Sequence, residues 1–149
     1  MVILGSTGSI GVNTLWVAKK YDLTIEVLVA GYNTTLLQEQ INMFSPRKVV
    51  VANKETALKL NHPDVGYGEE AILDAIESSI SDVVVNALVG FTGLRPTLKA
   101  IECNKYVALA NKESLVAAGK FVDTRKLVPI DSEHFALWYL LNERPINKT

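Results

Sequence analysis

The stretch MVILGSTGSIG at residues 1–11 decides how this chain folds. Its first four residues are apolar and predict a short buried strand, and glycines follow at positions 5, 8 and 11. Residues 12–20 then have the apolar spacing of a helix. The residues of this helix that are predicted to face the core are Leu15, Trp16 and Ala18. A strand, a glycine turn and a helix in this order form the first half of a nucleotide-binding unit.

The glycine turn has the chemistry to hold a pyrophosphate. Glycines let the backbone approach phosphates closely, and a helix N-terminus offers free N–H groups with a partial positive charge. Thr7 and Ser9 add hydroxyl donors. The spacing is GxxGxxG rather than the GxGxxG of the usual dinucleotide motif, and many other strand-to-helix turns contain glycines. The position of the turn at the start of an α/β pattern is what favours nucleotide binding.

The composition excludes several classes of protein. The chain has 149 residues, of which 48% are hydrophobic, enough for one domain with its own core. A net charge of −1 gives no sign of nucleic acid or of an anionic membrane surface as a partner. The single cysteine, Cys103, excludes a disulfide framework and fits a cytoplasmic protein. No signal peptide is recognisable, and no apolar run is long enough to cross a bilayer.

Strands and helices alternate along the rest of the chain. Further strands are predicted at residues 25–30, 48–51, 82–89, 106–110 and 127–130. Helices are predicted at residues 34–44, capped by Asn33 or Thr34, and at 55–60, 69–78 and from 131–134 to 141. A further helix is predicted with Pro96 near its first turn and with Leu94, Leu98 and Ile101 on its apolar face. His62 and residues 66–68 are assigned to loops, with His62 exposed to solvent. The alternation predicts an α/β fold, namely a Rossmann-like, doubly wound, mostly parallel sheet with helices on both faces.

Polar residues follow four of the predicted strands. They lie at residues 7–9, 31–33, 111–113 and 131–133. Because parallel strands end at the same edge of a sheet, we expect all four clusters to line the edge at which ligands bind in such folds.

The end of the second strand bears on the choice of cofactor. Its sequence is Ala30-Gly31-Tyr32-Asn33, without the acid that NAD-preferring sites place there for the ribose 2′-hydroxyl. The absence of that charge permits NADP(H). Arg47 and Lys48 are either partners of a 2′-phosphate or ordinary solvated charges, and Tyr32 either stacks on adenine or packs on the surface.

Two later clusters carry charged groups, and each has two interpretations. In Asn111-Lys112-Glu113 the lysine can bind a substrate phosphate or oxyanion and its neighbours can bind a ribose or nicotinamide, or Asn111 simply caps a helix. In Asp131-Ser132-Glu133 the two carboxylates suit Mg²⁺ or Mn²⁺, or the segment again only caps a helix. His134 is either a base or a hydrogen-bonded residue at a helix start.

Five motifs occur in the order and spacing of a known family. They are GSTGSIG at 5–11, AGYN at 30–33, NALVGFTGL at 86–94, ALANKESLVAAG at 108–119 and PIDSEHFAL at 129–137. Over essentially its whole length the chain resembles the 1-deoxy-D-xylulose 5-phosphate reductoisomerase family. The resemblance implies an NADPH-dependent enzyme that isomerises and reduces this sugar phosphate to 2-C-methyl-D-erythritol 4-phosphate, in the non-mevalonate route to isoprenoids.

The resemblance also implies roles for individual residues. The NADPH pyrophosphate would be held by Thr7, Gly8, Ser9 and Ile10, and the adenosine end by Gly31 and Asn33. Asn111 and Glu113 would contact the cofactor, and Asp131 and Glu133 would bind Mg²⁺ or Mn²⁺. Lys112, Ser132 and Glu133 would contact the substrate, with Lys112 and Glu133 as the catalytic residues. Tyr32 departs from the family, which often has lysine or another polar residue at this position.

The extent of the chain raises alternatives. The resemblance implies that residues 1–149 are the NADPH-binding domain, ending where the catalytic region starts, and that the catalytic and helical C-terminal domains of the family are not among them. A homodimer is implied for the full-length protein. The alternatives are a catalytically silent NADP(H)-binding module and another NAD(P)-linked dehydrogenase.

Overall fold

A parallel β-sheet runs through the centre of the computed structural model, which describes residues 1–110, 124–130, 135, 136 and 139. In these residues the sheet has seven strands: β1 Val2–Leu4, β2 Val27–Val29, β3 Lys48–Val51, β4 Val65–Tyr67, β5 Val83–Asn86, β6 Tyr106–Leu109 and β7 Leu127–Pro129. Their spatial order is β4-β3-β2-β1-β5-β6-β7, and each neighbouring pair is parallel. The order reverses between β1 and β5, which is where such sheets bind ligands.

Helices cover both faces of this sheet. They are α1 Ser9–Lys20, α2 Thr34–Phe44, α3 Lys54–Ala57, α4 Gly68–Glu77 and α5 Leu94–Glu102. Alternate residues of β1 belong to different cores: Val2 and Leu4 pack with α4 and α5, whereas Ile3 packs with α1 and α2. The predicted doubly wound α/β fold is therefore confirmed. Among the described helices, none combines the length and the apolar character that a membrane crossing requires.

The sequence-based assignments of residues 66–68, of the strand at 82–89 and of His62 differ from the structure. Strand β4 was assigned to a loop, because a three-residue segment centred on Gly66 has the composition of a turn; its pairing with β3 makes it a strand. Strand β5 ends at Asn86 rather than at residue 89, because the Leu88 N–H donates to the Asn86 side chain. His62 is half-buried, and its ring nitrogens lie 2.8 Å from Pro46 O and 2.9 Å from Asp64 O.

Trp16 was wrongly predicted to face the core, since 64% of its surface is exposed. The buried stripe of α1 consists of Gly11, Leu15 and Ala18, which are spaced by four and three residues. Trp16 follows Leu15 by one position and is therefore rotated about 100° away from that stripe. The Nζ of Lys20 lies 5.4 Å from the centre of its ring, so the indole is partly covered by a cation instead.

A buried carboxylate closes the amino edge of the sheet. Glu26 is 8% exposed and accepts hydrogen bonds from Ser79 Oγ at 2.6 Å and Ser81 Oγ at 2.5 Å. The N–H groups of Ile80 and Ser81 and the guanidinium of Arg47 also donate to it. Burial by itself raises the pKa of Glu26, but the bonds from Ser79, Ser81 and Ile80 outweigh it and lower the pKa to about 2.

The Glu26 network predicts an acid-sensitive contribution to stability. A folded-state pKa of about 2 against an ordinary value of 4.5 means that the contribution is complete above pH 4.5 and is lost as the pH falls towards 2. Glu26→Gln is expected to lower the free energy of unfolding by about 3 kcal/mol at neutral pH. Urea unfolding measured at several pH values tests this, with Glu39→Gln at an exposed glutamate as the control. Equal loss in both variants, or a wild-type stability that is flat below pH 4.5, would contradict the assignment.

Candidate functional site

The glycine turn connects β1 to α1 and is bound to the end of β2. The N–H groups of Gly5 and Ser6 both donate to Val29 O, each at 2.9 Å. The Gly8 N–H donates to Gly5 O at 3.1 Å, which closes the turn. Gly5 has a φ of +85°, in the left-handed region that favours glycine. The turn is therefore held in one conformation by backbone hydrogen bonds.

Close packing around the turn leaves no room for side chains at two of its glycines. A Cβ atom on Gly11 would lie 2.2 Å from Gly5 O, so α1 passes directly against the turn. A Cβ atom on Gly5 would lie 2.7 Å from Ala87 O, just beyond the end of β5. Gly8 is different, because a Cβ there would meet only Gly5 O at 3.4 Å, an ordinary contact. Gly5 and Gly11 thus allow the close packing of the turn, whereas Gly8 lies on the side of the turn that is exposed to solvent.

The start of α1 lies at the point where the strand order reverses. Helix α1 begins at Ser9, three residues before the predicted start, and its N-cap Gly8 has no side chain that could satisfy the first N–H groups. Gly8 and Ser9 are exposed, and Thr7 and Ile10 are half-buried. The four residues predicted to hold a pyrophosphate therefore lie together at the mouth of the turn.

The end of β2 is open beside this turn. Nothing lies within 4 Å of a Cβ built on Gly31, and Tyr32 is 72% exposed. The Oδ1 of Asn33 accepts the Leu36 N–H at 3.2 Å, so of the two residues predicted to cap α2 it is Asn33 that does so. The Ala52 N–H donates to Gly31 O at 3.3 Å, so the ends of β2 and β3 are adjacent. Lys54, exposed at the start of α3, follows β3 at this edge.

Arg47 and Lys48 are at the opposite edge of the sheet, and the suggestion that they bind a 2′-phosphate is wrong. Arg47 precedes β3 and Lys48 is its first residue, and the N–H groups of both donate to Glu26 O. The Arg47 guanidinium is committed to the Glu26 carboxylate, with Nη2 3.1 Å from Oε1. Although Arg47 and Lys48 adjoin β3 in sequence, they lie at its amino end, whereas the glycine turn lies at the carboxyl edge of the sheet.

A groove runs along the carboxyl edge from the end of β2 to the segment after β5. It is lined by Ala30, Gly31, Ala52, Ile72, Leu88 and Thr92. An ion pair flanks it, in which Arg95 Nη1 lies 2.5 Å from Glu69 Oε2 and Arg95 Nη2 lies 2.9 Å from Glu70 Oε1. The hydrogen bonds that the Arg95 guanidinium donates, first to Glu69 and then to Glu70, raise its pKa, so it stays charged. The mostly apolar walls suit a flat aromatic group such as a purine.

Asn86 organises the far wall of this groove and was missed by the sequence analysis. It is fully buried at the end of β5, and its Nδ2 donates to Gly93 O and Thr97 Oγ1, both at 2.8 Å. Its Oδ1 accepts the Leu88 N–H at 3.2 Å. One side chain therefore holds the segment from Leu88 to Gly93 against α5. An asparagine closing an otherwise apolar strand was the signal that could have revealed it.

The strands that precede the two charged clusters end at the same edge. Asn86 is paired with Leu109, and Leu109 with Pro129, so β5, β6 and β7 end side by side. The Ala110 N–H donates to Asn86 O and the Ile130 N–H to Leu109 O, each at 3.0 Å. Six predicted site residues lie outside the described residues: Asn111, Lys112, Glu113, Asp131, Ser132 and Glu133. Within the described part of the chain, no three His, Cys, Asp or Glu side chains form a metal site.

Comparison with known proteins decides the family. The model of the family described as 1-deoxy-D-xylulose 5-phosphate reductoisomerase matches residues 1–119 of the 149. This chain belongs to the 1-deoxy-D-xylulose 5-phosphate reductoisomerase family. The resemblance drawn from the five motifs is therefore confirmed.

Curated members of the reductoisomerase family align with nearly the whole chain. The 1-deoxy-D-xylulose 5-phosphate reductoisomerase of Nautilia profundicola is 66% identical over 144 residues, covering 97% of this chain and 39% of that protein. The enzyme of Wolinella succinogenes is 50% identical over 151 residues, covering 99% of this chain and 42% of that protein. The chain therefore spans about two fifths of the length of these relatives.

Solved structures of reductoisomerases share the fold. The Zymomonas mobilis enzyme in complex with NADPH superposes with a TM-score of 0.81 at 33% identity, covering 89% of this chain and 39% of that one. A DOX-P reductoisomerase in complex with NADPH, fosmidomycin and magnesium gives the same TM-score and identity, covering 89% of this chain and 36% of that one.

The packing of the glycine turn predicts unequal effects of two alanine substitutions. Gly11→Ala would place a Cβ 2.2 Å from Gly5 O, and we expect it to lower the free energy of unfolding by about 3 kcal/mol. Gly8→Ala meets only an ordinary contact and is expected to change it by less than about 1 kcal/mol. Denaturant unfolding followed by circular dichroism measures both. Similar losses in the two variants would show that the close approach of α1 to the turn is wrong.

Proposed function

We propose that this chain provides the NADPH-binding part of a 1-deoxy-D-xylulose 5-phosphate reductoisomerase. In the complete protein the reaction is the NADPH- and divalent-metal-dependent isomerisation and reduction of 1-deoxy-D-xylulose 5-phosphate to 2-C-methyl-D-erythritol 4-phosphate. The observation that carries the proposal is the glycine turn at the point where the strand order reverses, in a chain of this family. The ends of β2 and β5 flank this turn, and β6 and β7 end at the same edge of the sheet.

The described residues fit NADPH. On the inner side of the turn the backbone donates hydrogen bonds to Val29 O. The outer side is formed by Thr7, Gly8 and Ser9, and it offers hydroxyl and N–H donors to a pyrophosphate. Ile10 adds an N–H group in the first turn of α1. The open space over Gly31 and the apolar groove beside it suit the adenosine, with Asn33 at its edge. When bound, NADPH supplies the hydride for the reduction.

The end of β2 supports NADPH over NADH. Residues 30–33 contain no acid, so nothing at this position repels a 2′-phosphate or accepts specifically from a 2′-hydroxyl. Tyr32 is exposed and carries no charge that could attract the phosphate. We therefore expect a preference for NADPH that is weaker than a cation at position 32 would produce.

The remaining roles are proposed for residues outside the described part. Asn111 and Glu113 contact the cofactor, and Lys112 contacts the substrate. Asp131 and Glu133 bind Mg²⁺ or Mn²⁺, and Ser132 and Glu133 contact the phosphorylated sugar. The support for this arrangement is that β6 and β7, which precede these clusters, end at the same edge of the sheet as β1, two and three strands along from it. Two carboxylates leave the metal in need of further oxygen ligands from substrate, water or the rest of the protein.

The cellular setting and the limits of the domain are also proposed. Residues 1–149 comprise the NADPH-binding domain up to the start of the catalytic region, and by themselves they bind cofactor without turnover. The complete protein acts in the cytoplasm as a homodimer, on a small phosphorylated sugar and without nucleic acid or membrane as a partner. The family and the absence of a strong net charge support this setting.

Substitution of Tyr32 tests how the cofactor is selected. Tyr32→Lys is expected to lower the Kd for NADPH about fivefold and to leave the Kd for NADH unchanged, because the added cation pairs with the 2′-phosphate. Titrations that follow the fluorescence of the reduced nicotinamide measure both constants. Tyr32→Gln, which has no charge, is the control and should keep the wild-type ratio. An equal gain for both cofactors would place residue 32 away from the 2′-phosphate.

Substitution of Glu133 tests the proposed metal site. In the complete protein, Glu133→Gln is expected to abolish metal-dependent turnover, because it removes a carboxylate ligand, while the affinity for NADPH stays nearly unchanged. Oxidation of NADPH at increasing Mg²⁺ gives the turnover, and a titration without substrate gives the affinity. Glu102→Gln, at an exposed glutamate of α5, is the matched control. Normal turnover in Glu133→Gln would contradict the metal assignment.

A further inference from the structure

Gln40 is a buried carboxamide that reaches from α2 to the glycine turn. It is 6% exposed, and its Nε2 donates to Ser6 O at 2.9 Å across 34 positions of sequence. Ser6 is itself fully buried. The preceding peptide is also held, because the Ser6 N–H donates to Val29 O. Both peptide groups of Ser6 are thus bound to parts of the protein distant in sequence.

The bond from Gln40 determines where the Thr7 N–H points. A trans peptide is planar, and its C=O and N–H groups point in opposite directions. Because Ser6 O points inward to Gln40, the N–H of Thr7 points outward, towards the mouth of the turn. Within the described residues this N–H has no hydrogen-bond partner, and Thr7 is only half-buried. An oriented donor without a partner among the described residues is available for an anionic oxygen.

Packing alone does not account for an amide at position 40. Its Oε1 is buried and finds no partner among the described residues, which destabilises the fold. A methionine would fill the same space without that cost. The hydrogen bond to Ser6 O is the interaction that an apolar residue could not make.

We infer that Gln40 is a positioning residue for the cofactor, because its carboxamide holds the Ser6–Thr7 peptide with the Thr7 N–H facing a phosphate oxygen of the bound pyrophosphate. This inference rests on the proposed function, since it requires that NADPH binds at the glycine turn. The N-cap of helix α2 is Asn33, at the adenosine end of the site. Gln40 therefore also connects that end of the site to the pyrophosphate end through one helix.

The first test compares two glutamines of α2 in the complete protein. Gln40→Met is expected to raise the Kd for NADPH about tenfold, because the Thr7 N–H loses its fixed orientation. Gln38→Met should leave it unchanged, since Gln38 bonds instead to Asn42 and Asn61, away from the turn. Adenosine 2′-monophosphate, which lacks the pyrophosphate, serves as a competing probe of the adenosine end. Its Kd should be the same in all three proteins, which a general loss of structure would not allow.

A second variant keeps the inference testable if Gln40→Met folds poorly. Gln40→Glu can donate to Ser6 O only when the carboxyl group is protonated, so the ratio of its Kd to the wild-type Kd should rise with pH. The charged groups near this position are Lys19 of α1 and Glu39 of α2. Their direct effects on cofactor binding are common to both proteins and cancel in the ratio, whereas their effect on the introduced carboxyl only shifts the pH at which the ratio rises. For Gln40→Met the same ratio should not vary with pH.

The outcomes separate this inference from the proposed function. Wild-type protein that binds no NADPH overturns the proposed function together with the inference. Wild-type binding with an unchanged Kd in Gln40→Met overturns the inference alone, and so does a Gln40→Glu ratio that is flat with pH. A tenfold loss confined to ligands with the pyrophosphate supports it.

Discussion

The carbonyl oxygen of Val29 accepts hydrogen bonds from both Gly5 and Ser6, and the candidate site depends on this contact. The two bonds turn the chain out of β1 while holding it against the end of β2. Gly11 then lies so close to Gly5 O that α1 can leave the turn in only one direction. Because the inner side of the turn is committed in this way, the groups on its outer side face solvent, and an anion can bind there without rearrangement of the backbone.

The two edges of the sheet differ in how their polar and charged groups are paired. At the amino edge the carboxylate of Glu26 collects donors from the segment 79–81 and from Arg47, while Lys105 Nζ donates to the carbonyls of Ser79 and Ser81. Charges there are compensated within the protein and stabilise it. At the carboxyl edge Asn86 shapes a segment whose outer surface stays open. At one edge the charges are neutralised within the protein, and at the other the Thr7 N–H has no partner among the described residues, so the fold is stable and can still bind a ligand.

Features that depend on residues close in sequence were predicted from the sequence, whereas features that depend on distant residues were not. Helix α2 and its cap Asn33 were predicted correctly, and so was β3, because apolar periodicity and capping act within a few residues. Strand β4 was not, because three residues around a glycine become a strand only through pairing with β3. The choice between the two roles left open for Arg47 also depended on a distant contact, since its partner Glu26 lies 21 positions earlier. Trp16 was misplaced because one residue along a helix changes the face that it occupies.

By itself the sequence determined the alternation of strands and helices, the GxxGxxG turn between the first strand and the first helix, and the motifs that identify the family. These features depend on residue type and spacing over short stretches of chain. Only the tertiary structure decided which side chains hold the site together. The bond from Gln40 to Ser6 joins residues 34 positions apart, and that from Ser79 to Glu26 joins residues 53 positions apart. Such contacts exist because β1 lies between β2 and β5, and that strand order follows from pairing across the whole sheet rather than from any local pattern.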